Sequence, residues 1–116
     1  MDQTVAALSA IRPPPTICIV DDDEVVRDSM RAVLESRRYT VNDFASGAEL
    51  LASGVASGVD CLVLDIHMPG MTGLELLREL GARRIATPVI LITGRSDSTI
   101  AAQAKALGAL ALLKSR

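Results

Sequence analysis

Three runs of the chain, Ile17-Cys18-Ile19-Val20, Cys61-Leu62-Val63-Leu64 and Val89-Ile90-Leu91-Ile92, carry aliphatic or thiol side chains at every position, with no polar alternation. A strand with one wet face alternates apolar and polar residues. A strand covered by helices on both faces does not, and such strands belong to parallel sheets. Segments with the apolar spacing of a helix separate these runs. The chain therefore reads as β-α repeated, with strands over 16–20, 39–43, 60–64, 89–92 and 110–113 and helices over 24–37, 47–52, 72–82 and 98–107. Right-handed βα units of this length build an α/β, doubly wound parallel sheet whose site lies at the carboxyl ends of the strands.

Bulk properties narrow the classes. The 116 residues suffice for one core, and 49% hydrophobic against 22% charged residues is a globular balance, so one domain is expected at 16–116. Residues 1–15 read as an N-terminal arm, with Thr4 as cap of a short helix presenting Val5, Leu8 and Ile11, followed by the extended triplet Pro13-Pro14-Pro15. A formal charge of −2, with scattered Lys and Arg and only one Tyr and one Phe, gives no field or stacking surface for nucleic acid. Cys18 and Cys61 sit inside aliphatic runs and form no disulfide framework. Asp2 stands where a signal peptide carries a base, and no apolar run approaches the length of a membrane span. A cytoplasmic protein without membrane association is expected.

Two strand ends are acidic. Val20 runs into Asp21-Asp22-Asp23-Glu24, and Leu64 runs into Asp65. Two carboxylates about 4 Å apart repel by about 4 kcal/mol at an effective dielectric of 20, so such a cluster binds a cation, takes up a proton or faces water. Oxygen-only ligands with room for water select Mg²⁺. The competing reading is that Asp22 to Glu24 simply cap the following helix. At the next strand end, the stretch Asp65-Ile66-His67-Met68-Pro69-Gly70-Met71-Thr72-Gly73 joins a carboxylate to a Pro/Gly turn, with Thr72 as the next cap. A further strand ends in Thr93-Gly94, a hydroxyl and an unhindered N–H. A metal, a carboxylate nucleophile, a hydroxyl and backbone donors on one rim are the parts that phosphoryl transfer to an aspartate needs.

Val-Asp-Asp at the first strand end, Leu-Asp-Ile-His-Met-Pro-Gly-Met-Thr-Gly-Leu-Glu-Leu at the third, Pro-Val-Ile-Leu-Ile-Thr-Gly at the fourth and Ala-Leu-Gly-Ala before the fifth resemble the receiver domains of two-component response regulators, in particular the FixJ-like branch. The resemblance implies a flavodoxin-like (CheY-like) sheet of five parallel strands in the order 2-1-3-4-5. It implies that Asp65 accepts the phosphoryl group from a sensor histidine kinase or phosphotransfer protein. Asp22 and Asp65 would bind Mg²⁺ directly, Asp21 through metal-bound water, and His67 through its main-chain carbonyl. Thr93 would bond a phosphoryl oxygen, with the Gly94 N–H as a second donor. The protein would be a signalling module acting on a downstream protein target, not a turnover enzyme. An imidazole role for His67 in metal binding or phosphohistidine chemistry is disfavoured, because no second His or Cys stands at ligand spacing.

The last strand departs from the family. Laid without a gap, the pattern puts Leu112 at its aromatic, Ser115 at its Lys and Arg116 at its Pro. Lys114, the remaining candidate for the family's catalytic cation, is one residue early and on a regular strand faces the other way, unless a bulge or frayed end returns it. The family's final helix is also absent. Its loss would bare roughly 300–500 Å² of aliphatic surface, on the order of 8–12 kcal/mol of burial, which a homodimer or the N-terminal arm would cover. Two other classes compete. One is a degenerate receiver acting as a phosphorylation-independent binding module, which Ser115 and Leu112 favour. The other is an aspartate-nucleophile phosphohydrolase, whose Asp-x-Asp-x-Thr is not completed here because Val25 stands at the Thr.

Overall fold

The three unalternated runs are the three inner strands. The computed structural model describes residues 3, 4, 7, 13–95 and 97–115, and its elements run β1 (Thr16–Val20), α1 (Glu24–Ser36), β2 (Thr40–Phe44), α2 (Gly47–Ser53), a 3₁₀ turn (Ala56–Gly58), β3 (Cys61–Asp65), α3 (Gly73–Ala82), β4 (Val89–Thr93), α4 (Ser98–Ala106) and β5 (Ala111–Lys114). All neighbouring strands pair in parallel, in the order β2-β1-β3-β4-β5. The edge strands, Thr-Val-Asn-Asp-Phe and Ala-Leu-Leu-Lys, each carry exposed residues, and the inner strands carry none, as the one-sided cover of a sheet edge requires.

Alternation along the inner strands divides the molecule into two layers. Cys18, Val20, Leu62, Leu64, Val89 and Leu91 face one side and join Leu50 of α2, Leu76, Leu77 and Leu80 of α3 and Ala104 of α4 in a single core. Leu62, Leu64, Leu76 and Leu91 are wholly buried there, each worth about 1.5–3 kcal/mol against exposure. The opposite side is thinner. It carries α1, none of whose residues is fully buried, and among the described residues a groove of about 360 Å³ runs between Met30, Val33 and Leu34 of α1 and Val63, Ile90, Ile92 and Leu113 of the sheet. It is the surface that the homodimer expected from the sequence would close.

Element bounds shift where local bonds override periodicity. The β2 strand starts at Thr40 and not Tyr39, because the Tyr39 N–H bonds the Leu34 carbonyl across Arg38, whose φ of 69° places it in the left-handed region. Asp60 stays outside β3: its carboxylate accepts from the Thr16 N–H at 2.7 Å and its own N–H donates to the Thr16 carbonyl. Asp65 and Thr93 are the last residues of their strands, one position beyond the aliphatic runs. In the arm, Gln3 and Thr4 are both helical, so Thr4 lies inside a helix and not at its N-cap, while Val5, Leu8 and Ile11 fall outside the described residues. Among the described residues, no helix is long and apolar enough to cross a membrane.

Candidate functional site

The carboxyl ends of β1, β3 and β4 form one rim. At the first, the Asp21 N–H bonds the Phe44 carbonyl at 3.2 Å, which carries the β1–β2 ladder one residue past Val20. Asp23 is the N-cap of α1, its side chain accepting from the Val25 and Val26 N–H groups. Helix capping therefore accounts for Asp23 alone. Asp21 is buried, Asp22 exposed and Asp65 half-buried, and one carboxylate oxygen from each lies within 4.8 Å of the others.

Such crowding marks the acidity of the group. Burial raises the Asp21 pKa most, and the charges of Asp65, Asp22 and Asp23 add to it, against a lowering bond from the Asp23 N–H. Asp65 is likewise raised, first by burial and then by Asp22, while the His67 N–H at 3.2 Å and the charge of His67 act in the opposite sense. Two of the three clustered carboxyls thus hold protons more tightly than free carboxyls do, through burial first and the neighbouring carboxylates second. An anionic, oxygen-only donor set suits a hard divalent cation such as Mg²⁺ and not zinc or copper.

Asp65 is presented by a tightly closed loop. A Thr72/Glu75 capping box fixes the start of α3, Gly70 takes a φ of 76°, and the Gly73 N–H reaches back to the Ile66 carbonyl at 3.0 Å. His67 follows two residues after Asp65, and its ring crosses to β4, with Nε2 2.8 Å from Thr93 Oγ1. Thr93 is completely buried. Its hydroxyl accepts from the Arg95 N–H at 3.0 Å and donates to the Arg95 carbonyl. Gly94 follows, and a side chain there would first meet Ser115 Oγ, at 3.9 Å.

Lys114 is set apart from this group. It pairs with Thr93 in the register of β4 and β5, while Ile92 pairs with Leu113 and with Asp65. Paired residues of parallel strands share a face and successive residues alternate, so Lys114 and Thr93 both lie opposite to Asp65 in the strand register. Thr93 is tied to the Asp65 loop by the His67 ring, whereas exposed Lys114 has no such tie. Among the described residues the pairing of β4 with β5 runs without a bulge from Ile90 and Ala111 to Thr93 and Lys114. Asp21, Asp22 and Asp65 come together at one rim, His67 links Thr93 to them with Gly94 next in the chain, and among the described residues the Lys114 side chain bonds none of them. The contact between the His67 ring and Thr93 was not read from the sequence, since nothing local links residues 26 positions apart.

A family model described as "Response regulator receiver domain" matches residues 17–114. The chain is 43% identical over 96 residues to the transcriptional regulatory protein FixJ of Azorhizobium caulinodans, covering 83% of this chain and 46% of that protein. Among solved structures it resembles FixJ-N, with TM-score 0.79 and 38% identity over 90% of this chain and 83% of that one. It also resembles the chemotaxis protein CheY4 of Vibrio cholerae, with TM-score 0.81 and 27% identity over 88% of this chain and 87% of that one. The chain spans about half the length of the FixJ relatives it matches.

Proposed function

The chain belongs to the response regulator receiver domain family, and from that premise we propose that Asp65 accepts a phosphoryl group from a sensor histidine kinase or phosphotransfer protein. Residues 16–116 form the receiver unit, behind an arm at 1–15. The observation that carries this reading is the convergence of Asp21, Asp22 and Asp65, with His67 linking the Asp65 loop to buried Thr93. Receiver domains are phosphorylation-dependent signalling switches, so the output is a change of shape offered to a downstream protein.

Asp22 and Asp65, with Asp21 through water and the His67 main-chain carbonyl, are the groups that would hold Mg²⁺. When bound, the ion supplies positive charge that offsets the carboxylates and the phosphoryl oxygens. An Asp65 carboxylate oxygen attacks phosphorus in line, the P–N bond of the donor phosphohistidine breaks, and its electron pair passes to the imidazole nitrogen. The product is an acyl phosphate, and hydrolysis returns the carboxylate and inorganic phosphate. Thr93 re-aims its hydroxyl from the Arg95 carbonyl to a phosphoryl oxygen, and the Gly94 N–H adds a second donor. Because Thr93 is bonded to both polar groups of the Arg95 main chain, that movement shifts the loop entering α4. Leu112 offers no aromatic rotamer to carry the change, so the backbone carries it.

The test is intact-mass measurement with acetyl phosphate and Mg²⁺. We expect the gain of one phosphate, removed by hydroxylamine and lost in Asp65→Asn. A gain that persists in Asp65→Asn would overturn the assignment. A wild-type chain that gains nothing would favour the binding-module reading, which Ser115 and Leu112 support.

A further inference from the structure

We propose that the imidazole of His67 is a phosphoryl-binding group of this site, donating from Nε2 to an oxygen of the phosphoryl group on Asp65. The inference rests on Asp65 being the phospho-acceptor. It begins with the hydrogen-bond count at Thr93. A hydroxyl has one proton and two lone pairs. The Thr93 proton goes to the Arg95 carbonyl and one lone pair takes the Arg95 N–H. What remains is an acceptor, so the partner at 2.8 Å, His67 Nε2, carries a hydrogen. The ring thus presents an N–H donor at the spot where Thr93 would meet the phosphoryl group. Its main-chain N–H already holds Asp65 Oδ1 at 3.2 Å.

The strand end that supplies a cation elsewhere in the family supplies none here. The exposed Lys114 side chain bonds none of the site's groups among the described residues, and Ser115 is too short to carry charge into the pocket. Arg27, near the same rim, is committed to the Asp21 carbonyl at 2.7 Å. Among the described residues, His67 bonds both sides of the site, Asp65 through its main-chain N–H and Thr93 through its ring. A hydrogen bond to an ionised oxygen is roughly twice as strong as one to a neutral hydroxyl. The arriving phosphoryl oxygen therefore draws the Nε2 N–H away from Thr93 and frees the hydroxyl to turn.

His67 is the single histidine of the chain, so its ring nitrogens are assignable by ¹⁵N NMR without ambiguity. Forming the beryllium trifluoride adduct of the full chain with Mg²⁺ should shift the Nε2 resonance, and the shift should be absent in Asp65→Asn. In rate measurements with phosphoramidate, His67→Leu should slow phosphate uptake or shorten the phosphoryl lifetime by about tenfold, whereas His67→Gln, which keeps an N–H at similar reach, should stay within about threefold of wild type. An unmoved Nε2 resonance, wild-type kinetics in His67→Leu, or equal losses in the Leu and Gln variants would each overturn the inference and leave Asp65 as phospho-acceptor. A wild-type chain that takes up no phosphate would overturn both.

Discussion

Gly73 is pressed against the main chain of Asp65: a methyl group on it would stand 2.4 Å from the Asp65 carbonyl oxygen and 2.8 Å from the Ile66 α carbon. Both obstacles are backbone, so the first turn of α3 or the phospho-acceptor itself must move to admit a side chain. Gly73→Ala is expected to cost about 1–3 kcal/mol, as overpacking does, and to slow phosphate uptake by displacing Asp65. Thermal melts and intact-mass time courses measure the two effects. Wild-type values in both would show that the loop yields without cost.

The acidic pocket is expected to weaken the fold at neutral pH. A carboxyl whose folded pKa is raised adds stability below its unfolded value and loses it as pH rises through the folded pKa. For Asp21 and Asp65 that loss begins above the ordinary value of 3.8. Asp21→Asn keeps the oxygen that accepts from Asp23 and should stabilise by about 1 kcal/mol at pH 7. The gain should vanish below pH 4, as read from urea midpoints. Mg²⁺ at a hundred times its Kd should stabilise the wild type by about 2.7 kcal/mol, and a melt unmoved by Mg²⁺ would count against a metal pocket.

Lys114 and Ser115 should exchange the ranks that their residue types suggest. Exposed Lys114 lies opposite to Asp65 in the register and bonds none of the site's groups among the described residues, so Lys114→Ala should leave the phosphorylation rate within about twofold of wild type. Ser115 comes next, beside Gly94, and Ser115→Lys would place an ammonium on the Asp65 side, accelerating uptake by about tenfold through a charge-assisted bond. The reverse order would show that β5 slips by one residue in solution.

Cys18 is expected to be inert in the folded chain. It is wholly buried in β1, and burial, with Asp43 nearby, pushes its thiol pKa up to about 12. Thiolate is the reacting form, so maleimide at pH 7 should label Cys18 only on unfolding. Labelling of Cys18 at the rate of a free thiol would mean that β1 opens locally.

The sequence by itself determined the layer plan and the address of the chemistry. Unalternated runs at Ile17–Val20, Cys61–Leu64 and Val89–Ile92 have only one good home, the middle of a parallel sheet, and a strand that ends in Asp21 or Asp65 delivers its carboxylate to the carboxyl rim. Caps were legible too, since Asp23 and Thr72 bond backbone groups two or three residues away. What only the tertiary structure decided lies across strands. The meeting of His67 with Thr93, the face taken by Lys114 and the need for glycine at 73 depend on register and loop closure between distant segments. Periodicity is a property of neighbours along the chain, and it carries no information about which atom of one strand end will stand against which atom of the next.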